Sequence, residues 1–204
     1  MAPTYREGDA VSTAATAPPP DTSFADRSEL GLRPVRLEDW PVIHEWSRLP
    51  DIPRHQPWGP NRALQTRDFV VAAIDAADDS PRTRHVFSAV IANRVVGLAE
   101  VTVTAFHQGR PDLAEMGYAV HQAMRRQGVG TGIASLALDH AFGELGVHRV
   151  QATCDPLNTG SVRILESLGF VREGTTREDV RLAHRWRDSH VYGLLEDEWP
   201  GSRR

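Results

Sequence analysis

The residues with the clearest chemical potential form the segment 125–132, RRQGVGTG, between a strand-like and a helix-like stretch. Glycine lets the backbone turn tightly and approach a ligand, while the free amides and positive dipole end of a helix's first turn attract anions. The segment therefore predicts a phosphate-binding turn. Alternatively, a glycine-rich turn can begin a helix without binding any ligand.

Two better-known phosphate sites do not fit this segment. A dinucleotide-binding fingerprint that starts at Gly128 requires glycine where Ile133 stands. A Walker loop requires Lys, and all 23 basic residues of the chain are Arg. The absence of Lys also excludes Schiff-base and pyridoxal enzymes, which need its amine.

The motifs around the segment resemble the GNAT superfamily of acyl-CoA-dependent N-acyltransferases. Its signature is a basic or Gln residue, two residues, Gly, one residue and Gly or Ala, which Arg125, Gly128 and Gly130 match. The order and spacing of the motifs resemble the branch that includes the ribosomal-protein alanine acetyltransferases (Rim-type), over about residues 30 to 200. The other matching motifs are WGP at 58–60, AEMGY at 114–118, NTGS at 158–161, LGF at 168–170, EG at 173–174 and the stretch 188–199.

This resemblance implies an α/β (α+β) fold with a mixed seven-stranded sheet flanked by helices. Two parallel central strands, near 113–120 and 147–154, would splay apart and leave backbone polar groups without partners. In the family, the pantetheine arm of acetyl-CoA enters this gap and the pyrophosphate lies on the glycine-rich turn. The residues implied to bind acetyl-CoA are Val120, Arg125, Arg126, Gln127, Gly128, Val129, Gly130, Thr131, Asn158 and Ser161. For the two adjacent arginines, a solvated surface is the alternative.

Acyl transfer from a thioester to an amine requires a neutral amine, donors for the developing oxyanion and a proton for the departing thiolate. Glu115 is the candidate base, directly or through water, because it lies on the strand that would hold the cofactor arm. It also matches the Glu that many family members carry at this point. The alternative for Glu115 is a strand residue held in a salt bridge.

The general acid stays open at this stage. By resemblance, Asn158 hydrogen-bonds the cofactor arm and Ser161 lies near the sulfur, although Asn158 can also be the N-cap of the helix that follows. Four residues after the Ser161 position, a common family pattern has a Tyr acid where this chain has Leu165. The proton would then come from Ser161, Tyr192 or a water, or the thiolate would leave unassisted.

Four further residues stand near the expected site. Cys154 ends the second splayed strand and either approaches the cofactor or is a small buried thiol. Trp40, Trp46 and Trp58 either line the acceptor pocket or belong to the core. The nine His residues show no metal-ligand spacing, so we expect no metal.

Composition sets the broad class of the protein. A formal charge of −4 and a pI near 6.1 argue against a nucleic-acid binder. The single Cys excludes an internal disulfide and favours a reducing, cytoplasmic compartment. No apolar run approaches the roughly 20 residues that a membrane span needs.

The elements that position these residues follow from hydrophobic periodicity. Helical spacing predicts helices near 40–46, 61–77, 129–141 and 159–168. Extended, β-branched runs predict strands near 32–37, 85–91, 95–106, 113–120, 147–154, 170–180 and 187–196. Residues 1–29 are rich in Ala, Pro, Thr and Ser, so we expect a disordered or loosely attached arm before a domain at 30–204.

We therefore expect a single GNAT domain that transfers an acetyl group from acetyl-CoA to a primary amine by direct attack in a ternary complex. Its partners would be acetyl-CoA and an amine acceptor, either a protein N-terminus or a small molecule, with a homodimer left open. The alternatives are a non-catalytic acyl-CoA sensor or scaffold and a transferase of a longer acyl group such as succinyl.

Overall fold

The structure is a computed structural model that describes residues 29–182 and 185–203. Residues 1–28 of the predicted N-terminal arm lie outside the described residues. Within the described part, the predicted order of strand, two helices, three strands, helix, strand, helix and two strands is confirmed.

Seven strands of the described chain form one sheet in the order β1-β2-β3-β4-β5-β7-β6. Their bounds are β1 (Gly31–Pro34), β2 (Arg84–Ile91), β3 (Arg94–His107), β4 (Arg110–Val120), β5 (Arg149–Cys154), β6 (Val171–Leu182) and β7 (Arg185–Leu195). Among these neighbours β4 and β5 run parallel, and the other pairs are antiparallel. The sheet is therefore mixed, as expected.

Four α-helices of the described chain flank the sheet. They are α1 (Trp40–Ser47), α2 (Ala63–Asp75), α3 (Val129–Leu138) and α4 (Thr159–Ser167). Helix α3 continues as a π-helical segment, Asp139–Leu145, which ends at the left-handed Gly146. No helix in the described ranges has the length and apolar character needed to cross a bilayer.

The first strand is shorter than the sequence predicts. Strand β1 ends at Pro34 rather than near Leu37, although the Val35 amide still donates to the Val86 carbonyl at 3.2 Å. Asp39 then draws the chain toward α1, because its carboxylate accepts hydrogen bonds from both Arg33 Nη atoms at 2.7 Å and from Ser88 Oγ at 2.7 Å. Burial raises the pKa of Asp39, but these hydrogen bonds outweigh it and hold that pKa below its usual range.

Apolar side chains cover both faces of the sheet. On one face, α3 and α4 pack against the central strands, with Ile133 and Val150 fully buried. On the other face, α1 and α2 enclose a smaller core that includes Trp46 and Val70. Full burial of such side chains contributes about 1.5–3 kcal/mol each, and burial on both faces fixes the register of the strands that carry the site.

Candidate functional site

The parallel strands β4 and β5 pair briefly and then separate. Residues 113–115 of β4 face residues 149–151 of β5, whereas β4 continues to Val120 and β5 continues to Cys154. Each strand keeps its outer neighbour, β3 or β7, along this length. The two inner edges therefore enclose a gap with no partner strand in the described chain, which we call the wedge. Unpaired backbone groups in such a gap are costly unless a ligand or water bonds them.

At the end of the wedge, a tight turn leads into α3. Gly128 has a φ of 79° and Arg126 a φ of 60°, both in the left-handed region that Gly adopts without steric cost. The first intrahelical hydrogen bond runs from the Gly132 amide to the Gly128 carbonyl at 3.1 Å. The amides of residues 129–131 precede it and are free to bind an anion. We call residues 125–131 the glycine turn.

Gly130 also brings α3 close to its neighbours. A Cβ at this position would lie 2.8 Å from Ile164 Cδ1 and 3.3 Å from Val120 Cγ2. A larger side chain would therefore require the Ile164 side chain to move and would crowd Val120 at the end of β4. The glycine turn is also tied to the wedge by a hydrogen bond of 3.4 Å from Arg125 Nε to the Val120 carbonyl.

The polar side chains of the glycine turn differ in their environments. Arg125 lies 3.7 Å from the Asp51 carboxylate, whereas the exposed Arg126 has no hydrogen-bond or ion-pair partner among the residues described. The Gln127 side chain donates to the Ala123 carbonyl at 2.8 Å and so stabilises the turn itself. Arg126 is therefore the more available cation for an anionic ligand.

On the opposite side of the wedge, α4 begins at a side-chain cap. Asn158 Oδ1 accepts the Ser161 amide at 3.2 Å, which confirms the predicted N-cap. Tyr118 Oη reaches from β4 to donate to the Ser161 carbonyl at 3.5 Å. Burial is the main cause that raises the pKa of Tyr118 to about 12, so this phenol keeps its proton at neutral pH. Sequence reasoning did not single out Tyr118, although it lies in the motif at 114–118.

Ser161 and Tyr192 are the side chains that remain as candidates for the general acid. Tyr192 on β7 is buried in the core on the α3 and α4 face, as is Leu165, which stands at the position of the family's Tyr acid. Neither residue lines the cavities on the other face of the sheet. Ser161 is half-buried and adjoins Tyr118.

Two adjoining cavities, of about 200 and 390 Å³, lie on the α1 and α2 face of the sheet. Their shared wall includes Trp58, Glu100 and Gly117. The smaller cavity lies between α1, α2 and strands β3 and β4. The larger cavity lies over the mouth of the wedge, between β4, the loop before α2 and the β6–β7 hairpin. The glycine turn and the larger cavity thus lie on opposite sides of β4, and this cavity is large enough for a second ligand.

The smaller cavity has mostly apolar walls and a few hydrogen-bonding groups. Trp46 and Trp58 both line it, with ring centroids 6.1 Å apart in an edge-to-face arrangement, whereas Trp40 is not among its lining residues. Trp46 is only 1% exposed, and its Nε1 has no hydrogen-bond acceptor in the described part of the chain. A buried unpaired donor is costly, so this cavity suits an apolar group that carries one acceptor atom.

The larger cavity is bordered by carboxylates. Glu115 is exposed to it and has no hydrogen-bond or ion-pair partner within residues 29–182 and 185–203, whereas Glu100 pairs with Arg84 at 2.7 Å. The salt-bridge alternative for Glu115 thus finds no partner in these ranges. Asp179 adds a further carboxylate to the wall. A cavity of this charge favours a cationic guest such as an ammonium group.

Cys154 borders the same cavity and is half-buried. Burial, followed by the Asp155 charge, raises the pKa of Cys154 to about 11. The side chain is therefore a neutral thiol at physiological pH, when its nucleophilicity is low. No group of three or more metal-ligating side chains occurs among the described residues.

The larger cavity also contains a histidine and an aspartate that sequence reasoning missed. His55 Nδ1 lies 2.8 Å from Asp155 Oδ2, and Arg187 Nη2 lies 3.1 Å from Asp155 Oδ1. One hundred positions separate His55 from Asp155, and no local spacing links the two. Only the fold brings them together.

Comparisons with known proteins agree with this architecture. A family model described as "Acetyltransferase (GNAT) domain" matches residues 29–171. Probable N-acetyltransferase YjcK of Bacillus subtilis is 35% identical over 108 residues, which are 52% of this chain and 58% of that protein. Uncharacterized N-acetyltransferase p20 of Bacillus licheniformis is 27% identical over 184 residues, 89% of this chain and 99% of that protein. The structure of Mycobacterium smegmatis RimJ in complex with CoA-disulfide matches with a TM-score of 0.73 and 25% identity, covering 84% of each chain.

Proposed function

The chain belongs to the GNAT acetyltransferase family and is an N-acetyltransferase, and on that basis we propose that it transfers the acetyl group of acetyl-CoA to a primary amine. The wedge is the observation that carries this proposal. Its two inner strand edges lie between a turn suited to an anion and a carboxylate-lined cavity suited to an ammonium group. This arrangement supports the binding of two substrates beside one strand, as direct transfer in a ternary complex requires.

The residues of the wedge and glycine turn fit acetyl-CoA. Backbone amides at the start of α3 and the free cation of Arg126 suit a pyrophosphate, and the unpaired edge of β4 suits an amide-containing arm. When bound, acetyl-CoA supplies the thioester acyl group. The residues that we propose to hold it are Val120, Arg125, Arg126, Gln127, Gly128, Val129, Gly130, Thr131, Asn158 and Ser161.

Two side chains are proposed to handle protons. Glu115 takes the proton of the amine, directly or through water, because its carboxylate is exposed to the larger cavity where parallel pairing ends. Ser161 supplies the proton for the departing thiolate. Tyr118 positions Ser161 by donating a hydrogen bond to its carbonyl across the wedge.

The acceptor is proposed to be a cationic amine with an apolar neighbouring group. Glu115 and Asp179 supply negative charge in the larger cavity, while Trp46 and Trp58 supply apolar walls in the smaller one. The N-terminal amine of a protein fits these requirements, as does an amine-bearing metabolite. The similarity to RimJ and to the ribosomal-protein branch favours the N-terminal amine.

Two finer proposals concern the setting of the enzyme. We place it in the cytoplasm, because a chain with one Cys forms no internal disulfide and suits a reducing compartment. A homodimer is the assembly to test first, by light scattering of the purified protein across a range of concentrations.

The decisive experiment is a thiol-release assay with product mass measurement. Acetyl-CoA is offered with spermidine, with small primary amines and with peptides that begin with Ala, and succinyl-CoA replaces acetyl-CoA in parallel wells. We expect thiol release that depends on both substrates and a product heavier by one acetyl group. Saturable CoA binding without any acylated product would favour the sensor or scaffold instead, and preferred use of succinyl-CoA would overturn the acetyl assignment.

A further inference from the structure

An Asp–His pair borders the cavity proposed to receive the amine. His55 follows the short helical turn Ile52–Arg54, and Asp155 follows β5. The Asp155 side chain is 1% exposed and accepts hydrogen bonds from His55 Nδ1 at 2.8 Å, from the Leu157 amide at 2.9 Å and from Arg187 Nη2 at 3.1 Å. This carboxylate therefore fixes the orientation of the His55 ring.

The hydrogen bonds of Asp155 define the tautomer of His55. Burial raises the pKa of Asp155, but the hydrogen bonds from His55 and Leu157 and the charge of Arg187 outweigh burial and lower it. An ionised carboxylate only accepts hydrogen bonds, so Nδ1 of His55 must carry the proton. Nε2 of neutral His55 is then a lone-pair acceptor, as in other enzymes where a carboxylate holds a basic imidazole.

His55 is placed where a proton acceptor is needed. Its side chain is 29% exposed and lines the larger cavity together with Glu115 and Ser189. Its Nε2 has no hydrogen-bond partner in the part of the chain that the structure describes. The exposed fraction gives the ring a route by which a captured proton can return to solvent.

The chemistry of the acceptor favours imidazole as the final base. An α-amino group titrates near 8 and a Lys-type amine above 10, while the ordinary pKa of imidazole is about 6.5 and that of a Glu carboxyl about 4.3. A base whose pKa lies near the working pH is both available and strong enough to accept a proton. A carboxylate of ordinary pKa is the weaker acceptor by this criterion.

We propose that His55, oriented by Asp155, is the catalytic residue that finally accepts the proton removed from the amine at Glu115. This inference rests on the proposed N-acetyltransferase function and deepens it. One N–H bond of the ammonium breaks, its electron pair stays on nitrogen, and the proton passes by way of Glu115 or water to Nε2 of His55. The amine nitrogen then bonds to the thioester carbonyl carbon as the C–S bond breaks. Ser161 gives its proton to the departing sulfur and regains one from the second N–H of the amine, and His55 releases its proton to solvent.

The test is the pH dependence of kcat/KM between pH 4.5 and 9, with acetyl-CoA and whichever of spermidine or an Ala-starting peptide is acetylated. Wild-type protein should lose activity on the acid side with an apparent pKa in the histidine range. His55→Gln should lower kcat at least tenfold and move this acid limb into the carboxylate range. Glu115→Gln should lower kcat and keep the limb in the histidine range. His107→Gln, at the exposed end of β3, is the matched control and should behave as wild type.

Two variants that break the same ion pair separate electrostatics from structure. Asp155→Asn removes a negative charge beside His55 and should move the acid limb to lower pH, whereas Arg187→Gln removes a positive charge and should move it to higher pH. If the ion pair had a merely structural role, the acid limb would move in the same direction in both variants. Thermal unfolding checks that each variant is folded. If Asp155→Asn does not fold, Arg187→Gln still tests the proposal.

The outcomes distinguish this inference from the function on which it rests. Acetylation with a wild-type acid limb below pH 5 that His55→Gln leaves in place overturns the role of His55 alone. Absence of acetylated product from every amine overturns the proposed function first, and the role of His55 with it.

Discussion

At the residue scale, the site combines side chains with different protonation behaviour around one strand. Glu115 is open to the larger cavity, His55 is held by the buried Asp155, and Tyr118 keeps its proton inside the wedge. When two groups have different pKa values because their environments differ, one can act as an acid and the other as a base at the same pH. The cavity side of β4, where we propose that the amine binds, therefore offers acceptors of protons, and the wedge side offers donors.

Replacing Glu115 tests the amine side of this arrangement. Glu115→Gln keeps the size of the side chain but removes its ability to accept a proton, so we expect kcat to fall about 10²-fold while the acid limb of the pH profile stays in the histidine range. Acetyl-CoA affinity, measured by calorimetry, should stay nearly unchanged because Glu115 is not among the residues that we propose to hold acetyl-CoA. Glu100→Gln is a matched control, since that carboxylate borders the same cavity but is paired with Arg84. Normal activity of Glu115→Gln across pH would remove Glu115 from the mechanism.

At the element scale, the connection from β4 to α3 carries the proposed anion site. Strand β4 ends at Val120, and the left-handed Gly128 precedes the first residue of α3, Val129. The close approach of Gly130 to Ile164 keeps α3 against α4. The separation of β4 from β5 and the position where α3 begins are thus coupled. A shift of either element would move the amides of residues 129–131 away from the wedge.

Two left-handed glycines at opposite ends of one helical segment offer a controlled test. Gly128→Ala and Gly146→Ala each place a Cβ at a positive φ, 79° and 65° respectively, at a cost of about 1–2 kcal/mol in unfolding free energy. Both variants should therefore lose similar stability in urea. Only Gly128→Ala should weaken CoA binding, by tenfold or more in calorimetry. Equal CoA affinity in the two variants would argue against the glycine turn as the phosphate site.

At the scale of the whole molecule, a buried histidine links stability to pH. His85 on β2 is 7% exposed, and its Nδ1 lies 3.2 Å from Nε2 of His140, which follows α3. Burial, together with the charge of Arg82, lowers the pKa of His85 to about 4. Burial likewise lowers the pKa of His140, despite its contact with Glu144 at 2.9 Å. The contact between the sheet and the helical segment is therefore most stable when the His85 and His140 rings are both neutral.

Acid should accordingly destabilise the protein well before its carboxylates titrate. The unfolded His85 binds a proton near pH 6.5 and the folded one near pH 4, so stability is complete above 6.5 and is lost as pH falls toward 4. We expect the unfolding free energy to drop by about 1–2 kcal/mol between pH 7.5 and 5, measured by urea titration. His85→Gln should be less stable at pH 7.5 but show a smaller drop, while His107→Gln keeps the wild-type dependence. An unchanged drop in His85→Gln would exclude His85 as the source.

Much of this molecule follows from the sequence by itself. Hydrophobic periodicity gave the order of strands and helices, because burial of one face imposes a repeat of 2 or 3.6 residues. The glycine spacing at 128 and 130 predicted a tight turn before α3, and Gly128 has the left-handed backbone that glycine adopts without steric cost. The motifs from residue 58 to residue 199 predicted the family, and Asn158 was predicted as a helix cap from residue type and position alone.

Contacts between residues far apart in the sequence become visible only in the folded chain. It paired His55 with Asp155, carried Tyr118 across the wedge to Ser161, and placed Trp46 and Trp58 rather than Trp40 beside the cavity. It also buried Tyr192 and ended β1 at Pro34. Such contacts depend on how strands splay and helices cross. Packing of the whole chain sets these quantities, whereas local sequence patterns report only neighbours within a few residues.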